Sequence, residues 1–187
     1  YVWKYQILNR AYNATDRKSD FERLLWNICR ENQERFNSLR SAIGYLLHTY
    51  KDVALTKAVV FIDEVMSDGA NGRSGKSLVG VAVSQIRKTL RIGARNFSFK
   101  NTFAFQSVTL DTSVIEFNDA EKKFPFDKLF TIITDGIAVE KKNKDQITIP
   151  FSESPKVLIS TNFTIEGVDR STVDRQFVVE FSDYYNE

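Results

Sequence analysis

Apolar and polar positions outline the elements of this chain before any chemistry is considered. Phe21, Leu24, Leu25 and Ile28 share a helical face, and Ser19-Asp20 stands where a cap would; the spacing predicts a helix over Phe21 to Arg30. Leu39, Ile43, Leu46 and Leu47 predict a second over Phe36 to Tyr50. Ala58-Val59-Val60-Phe61-Ile62 reads as a strand, and Leu78 to Leu90, through Val81 and Ile86, as a helix ending near Gly93. From Phe97 to Asn118 the pattern turns strand-like, with Phe97, Phe99, Phe103 and Phe105 alternating with other residues. Val114-Ile115-Glu116-Phe117 reads as a strand ending in Asn118-Asp119. A short helix fits Phe126 to Thr134, and Asp135-Gly136 turns the chain. Ile137-Ala138-Val139 and Gln146-Ile147-Thr148-Ile149 bracket a charged tip, the pattern of a β-hairpin. Val157 to Ser160 and Phe177 to Phe181 supply two more strands. Residues 1 to 16 are mixed and aromatic and read as the tail of an upstream linker. Strands interleaved with helices predict an α/β domain around a parallel sheet.

Composition removes several chemistries. The chain has 187 residues, enough for one domain with a core, and 42% of them are hydrophobic. No apolar run approaches the ~20 residues that span a bilayer, so no membrane partner is expected. The start at Tyr1 reads as a cut-out fragment. Cys29 is the single cysteine, which excludes an internal disulfide or cysteine cluster and fits a reducing cytosol. His48 is the single histidine, which argues against a Ser-His-Asp hydrolase or a multi-histidine metal site. A formal charge of +2 assigns any nucleic-acid contact to local clusters rather than to the whole-chain field.

The chemistry concentrates in Gly69-Ala70-Asn71-Gly72-Arg73-Ser74-Gly75-Lys76-Ser77, between a strand pattern and a helix pattern. That is the context a phosphate-binding P-loop requires. Glycines let backbone N–H groups close around phosphate oxygens, and the following helix start adds positive partial charge. Asn71, Gly72, Arg73, Ser74, Gly75, Lys76 and Ser77 are the candidate nucleotide-binding residues, with Lys76 on the phosphates and Ser77 on Mg²⁺. The match departs from the strict spacing, since Ala70 stands where the first glycine belongs. A flexible Gly/Ser/Asn loop before a helix is the plainer alternative.

Later elements narrow the reaction. An NTP-hydrolysing site needs an acidic strand end to hold the Mg²⁺ shell and poise water. Asp119 is the candidate base, and Ser77, Asn118 and Asp119 the candidate metal set. Asn162 follows a third apolar strand and could orient the attacking water. Each asparagine or aspartate could instead start a turn. Lys141, Lys142 and Lys144 form a basic hairpin tip, readable as a nucleic-acid contact or as a solubilising turn. The phenylalanines of Phe97 to Phe105 could stack on bases, though core packing fits them better.

In order and spacing the series resembles the superfamily 3 helicases of DNA viruses, phages and plasmids, a branch of the AAA+ ATPases. Phe117-Asn118-Asp119-Ala120 resembles the Walker B strand, and Pro155-Lys156-Val157-Leu158-Ile159-Ser160-Thr161-Asn162 the run to the sensor asparagine. Asp174-Arg175-Gln176-Phe177-Val178-Val179-Glu180-Phe181 resembles the segment with the arginine finger, which makes Arg175 the catalytic candidate there. The likeness runs from about Leu46 to Phe181. It implies a P-loop NTPase fold of AAA+ type: a parallel sheet flanked by helices, a β-hairpin insertion and a small N-terminal helical part. It divides the chain into an N-terminal helical segment, 1–52, and an ATPase core, 53–187. It further implies ATP and Mg²⁺, single-stranded nucleic acid (DNA rather than RNA), a hexameric ring, an upstream primase or origin-binding domain, and the cytoplasm of a bacterial host. Asn118 departs from the family by replacing the first acid of its strand.

The leading reading is an ATP-driven nucleic-acid motor, the helicase core of a phage or mobile-element primase-helicase. The second is an oligomeric ATPase switch that does not move on nucleic acid. A small-molecule kinase would need an arginine-bearing lid, which the chain does not display. Asn143-Lys144 is followed at once by Asp145, one residue too early for a GTPase base-reading motif.

Overall fold

Polar caps and apolar faces account for the two N-terminal helices. Helix α1 (Asp20–Ile28) starts at Ser19, whose hydroxyl accepts from the Glu22 amide at 3.0 Å. Helix α2 (Gln33–Leu47) starts at Asn32, whose side chain accepts from the Glu34 and Arg35 amides, each at 3.0 Å. Such bonds satisfy amides that a helix start leaves without partners. These come from a computed structural model, which describes residues 19–65, 73–163 and 169–185. The reading of residues 1 to 16 and the loop residues 66–72, with Asn71 and Gly72, lie outside the described residues.

The chain continues through β1 (Ala58–Asp63), α3 (Lys76–Ser84), β2 (Thr89–Gly93), β3 (Val114–Ala120), α4 (Phe130–Thr134), β4 (Gly136–Lys141), β5 (Lys144–Pro150), β6 (Lys156–Thr161), α5 (Arg170–Asp174) and β7 (Gln176–Phe181). Five strands form a parallel sheet in the order β2-β3-β6-β1-β7. Strands β1 and β6 are buried at every position, as parallel strands covered on both faces must be. Strands β4 and β5 pair separately as an antiparallel hairpin.

Alternation along the strands divides two cores. Val59, Phe61, Val114, Leu158, Val179 and Phe181 pack with Leu25, Ile28, Phe36 and Leu39 of α1 and α2 and with Val79 and Val83 of α3. Val60, Ile62, Ile115, Phe117, Val157 and Ile159 turn to the other face, against Phe126, Leu129, Ile132 and the hairpin residues Ile137, Val139 and Ile149. Each fully buried side chain of this size contributes about 1.5–3 kcal/mol of transfer free energy.

Three sequence expectations about these elements are corrected. The helix read over Leu78 to Leu90 stops at Ser84, and Thr89–Gly93 is strand β2. Leu90 and Ile92 pack on one sheet face while Arg91 reaches Glu116 on the other, a period of two rather than of a helix. The strand read across Phe97 to Phe105 is instead a series of turns, with bonds such as Asn101 to Ser98 and Val108 to Phe105. Its rings still serve the core: Phe97 and Phe99 lie 5.3 and 5.9 Å from Phe117, centroid to centroid. The helix read over Phe126 to Thr134 begins as a 3-10 turn before α4.

Helix α3 and strand β3 approach closely because one residue lacks a side chain. Glu116 is fully buried beneath α3, and Arg91 holds both its oxygens, at 2.7 and 3.1 Å. A Cβ added at Gly80 would fall 2.3 Å from Glu116 Oε1. Glycine in a helix costs about 1 kcal/mol relative to alanine, and here the carboxylate beneath it requires the gap. Burial pushes the Glu116 carboxyl above its ordinary range, while Arg91 opposes the shift.

Candidate nucleotide-binding site

Strand β1 ends in Asp63, and α3 begins at Lys76 behind Gly75. Gly75 has φ +94°, a left-handed conformation, and an added Cβ would lie 2.8 Å from Ile28 Cδ1. The backbone favours glycine there, and any larger residue would also push the Ile28 tip aside. Gly75 offers no side-chain cap, so the first amides of α3 are left for another acceptor. Arg73, also at positive φ, is exposed, whereas Ser74 is buried.

Lys76 is only 7% exposed. Its ammonium donates to the Asp63 carboxylate and, at 3.0 Å, to Ser74 Oγ. Burial lowers the Lys76 pKa, and the charges of Asp63 and Asp119 oppose that shift. Asp63 Oδ2 is buried without a hydrogen-bond partner. Asp63 is a site residue that the sequence analysis did not single out. The available signal was a carboxylate placed directly after an apolar strand.

The metal-side candidates converge on one amide. Ser77 Oγ donates to Asn118 Oδ1 at 3.2 Å, and Ser160 Oγ donates to the same oxygen at 2.9 Å. Helix α3 and strands β3 and β6 are thereby joined through Asn118. Buried Ser160 is a second residue that sequence reasoning did not single out.

Asp119 occupies a register irregularity between Phe117 and Ala120, with φ +57°. Strand β3 therefore continues past Asn118-Asp119 to Ala120 rather than ending there. Bulges of this kind re-aim a side chain at a sheet end, and Asp119 stands exposed within electrostatic reach of Lys76. Glu116, the nearest other acid on β3, is committed to Arg91. Asn162 directly follows β6, the strand between β3 and β1, and is partly exposed at the same carboxyl edge.

Arg175 is placed elsewhere. It caps the end of α5, donates to the Ser171 carbonyl at 3.0 Å and stacks 4.6 Å from the Phe130 ring centroid. Its Nε is buried without a partner. Its carbonyl accepts from the Ala58 amide at the start of β1, so it lies at the amino edge. A strand of six residues separates the two edges by about 20 Å. At the hairpin tip Lys142 and Lys144 are exposed and Lys141 is half-buried, with Lys141 opposite Lys144 in register.

Ser77, Asn118 and Asp119 carry the kind of oxygen donors that Mg²⁺ takes together with water. Among the described residues no three His, Cys, Asp or Glu side chains form a metal cluster. Ser77, Asn118 and Asp119 offer oxygens at one edge, beside the unpartnered Asp63 oxygen. Magnesium takes one or two carboxylates and fills its remaining positions with water and phosphate oxygens.

No protein-family model and no curated protein sequence matches the chain. Solved structures do share its fold. Two structures of the NrS-1 C-terminal region match 89% of this chain with TM-scores of 0.60 and 0.57, at 20% and 21% identity. A crystal structure of JCV helicase matches 88% of it with a TM-score of 0.53, at 14% identity. The chain spans only 38% of the NrS-1 chains and 46% of the JCV helicase chain. The fold is therefore the expected one: an α/β P-loop architecture with a hairpin insertion, shared with a helicase domain. Among the described residues no helix is long and apolar enough to cross a membrane.

Proposed function

We propose that this chain is the ATP-hydrolysing motor core of a nucleic-acid helicase, from a phage or mobile-element primase-helicase, working as a hexameric ring on single-stranded DNA. The observation that carries the reading is the Gly75-Lys76-Ser77 turn, which sets a buried ammonium between Asp63 and Ser74 and a hydroxyl on Asn118. An exposed lysine would be an ordinary surface charge. A desolvated one at a helix start is suited to a polyanion.

In this reading Lys76 leaves Asp63 for the β- and γ-phosphates, and the first amides of α3 accept the remaining charge. Ser77, Asn118 and Asp119 would hold Mg²⁺, which supplies charge neutralisation to the phosphates. Asp119 takes the proton of the attacking water, and Asn162 orients that water from the neighbouring strand end. Arg175 lies at the opposite edge of its own sheet, so its guanidinium would serve the site of the next copy in a head-to-tail ring.

Lys76→Ala tests the reading. It should abolish ATP turnover, and turnover by the parent should rise with single-stranded DNA. Normal turnover in the variant would remove the assignment. Turnover by the parent that ignores DNA would leave an ATPase switch instead of a motor.

A further inference from the structure

A second cluster of buried cations lies at the other edge of the sheet, away from the phosphate loop. A cavity of about 400 Å³ opens there between the starts of β3 and β6, lined by Ser113, Ser154, Lys156 and His48. Lys156 is 3% exposed and donates to the Tyr45 and His48 carbonyls at 2.5 and 2.8 Å. Its ammonium lies 3.1 Å from His48 Nδ1 and 4.0 Å from the Tyr45 ring centroid. Lys51 donates to Ser154 Oγ at 2.6 Å, and Arg87 Nη2 to Ser113 Oγ at 2.9 Å. Arg87 is 8% exposed, and its Nε is buried without any partner.

Charge around this cavity is not balanced. Lys51, Arg87 and Lys156 have no carboxylate partner among the described residues. Asp111 also lines the cavity but is committed to Lys88 at 2.7 Å, and Glu153 is exposed at the rim. Lys51, Arg87, Lys88 and Lys156 thus stand around Asp111 and Glu153, with Lys156 itself in the cavity lining. The local strain is visible in Lys156, whose pKa is lowered to about 7 by burial and by the charges of Lys51 and Arg87. Burial lowers Lys51 to about 8. Buried like charges persist where an anion completes them or where they cost stability.

We infer that this cavity binds a dianionic phosphate, as a phosphomonoester, contacted by the Ser113 hydroxyl that Arg87 holds in place and by Lys156, whose contact with His48 Nδ1 the phosphate replaces. The positive excess favours an anion, and a dianion offsets more of it than a carboxylate does. Ser113 Oγ accepts from Arg87, which polarises its hydroxyl as a donor, whereas the Ser154 hydroxyl that accepts from Lys51 already donates to the Phe151 carbonyl at 3.0 Å. Ser113 Oγ has only a 3.5 Å contact, to the Asp111 carbonyl, for its own proton. The cavity exceeds a bare phosphate ion and falls in the range of small-molecule sites.

His48 makes the test local, because it lines the cavity and is the only histidine of the chain. Inorganic phosphate, added at constant ionic strength to the full chain, should move the His48 ring NMR signal saturably and raise its titration midpoint. Chloride and acetate should do neither. The double variant Lys51→Gln, Arg87→Gln should weaken phosphate at least about tenfold, since charge-assisted bonds are lost. No saturable movement, equal movement with chloride, or a double variant that binds as tightly as the parent would overturn the site. A response to a single-stranded oligonucleotide but not to phosphate would also overturn it, in favour of a phosphodiester contact. The parent titration stands by itself should the variant not fold.

Discussion

Lys76 and Asp63 form an ion pair in which both side chains are more than nine-tenths buried, joining the start of α3 to the end of β1. The pair gives the lysine a partner that a phosphate must displace. Asp63→Asn removes that competition, and a charge-assisted bond is worth about 1.5–3 kcal/mol. The variant should bind ATP about tenfold or more tightly, read by nucleotide titration. It should also unfold at lower urea, because breaking a buried pair costs about 3–5 kcal/mol. Weaker nucleotide binding would place Asp63 among the groups that hold the metal.

Asp119→Asn should keep nucleotide binding and lose hydrolysis by about 10²-fold or more, the scale of general-base catalysis. Asparagine tolerates the positive φ of the bulge, so the backbone should stay in place. Binding and single-turnover hydrolysis, measured on one preparation, separate the two effects. Survival of both would leave Glu121 as the next acid to examine, since Glu116 is bound to Arg91.

Arg175→Ala should bind ATP nearly as well as the parent and hydrolyse it about 10³-fold or more slowly, as finger losses do elsewhere. Mixed with Lys76→Ala, it should recover some turnover where an intact loop meets an intact arginine. A mixture that assembles yet stays inactive removes the trans arrangement. Part of any loss of stability in Arg175→Ala would come from the contact with Phe130.

Lys142→Ala with Lys144→Ala should weaken single-strand binding and flatten its dependence on salt, since fewer counterions are released. Both lysines are exposed at the tip while the hairpin's Ile137, Val139 and Ile149 are buried, so folding should be unaffected. Binding curves at two salt concentrations check both points. Unchanged binding at low salt would leave the tip a charged turn.

Stability should rise with pH above neutrality through Lys156. Folded Lys156 releases its proton near pH 7, whereas the unfolded lysine holds it to about 10.5. Between these values the unfolded chain binds more protons, so the slope is positive, at most about 1.4 kcal/mol per pH unit. Below pH 7 the cost of the buried charge is fully present. Urea midpoints at several pH values should show the rise, and Lys156→Met should flatten it.

What could be read from the sequence was local in origin. The strand, glycine turn and helix of the phosphate loop lie within one stretch, as do the two arms of the hairpin. Strand β2 was missed because five residues after a helix carry too little periodicity to distinguish a strand from a last helical turn. The Phe97 to Phe105 alternation was genuine, but its rings reach the core from turns, so period alone misassigned the backbone. Asp63, Glu116 and Ser160 acquire their roles only from neighbours that the sheet order supplies. Their partners Lys76, Arg91 and Asn118 could not be paired with them from spacing. The placement of Arg175 likewise depends on strand direction, which no local pattern states.

The first two helices touch the chain on both sides of the segment 66–72. Arg30 and Arg35 hold Glu64 at 2.8 and 2.6 Å, just after β1, while Ile28 lies against Gly75, just before α3. Ile28 also accepts from the Ser182 amide, and Arg30 pairs with Asp183, so α1 is tied to the β7 end as well. A loop whose two ends are already anchored loses less conformational entropy when it closes on a ligand. The first two helices thus frame the end of β1 and the start of α3, and in the proposed reading a force applied to them would reach the bound nucleotide.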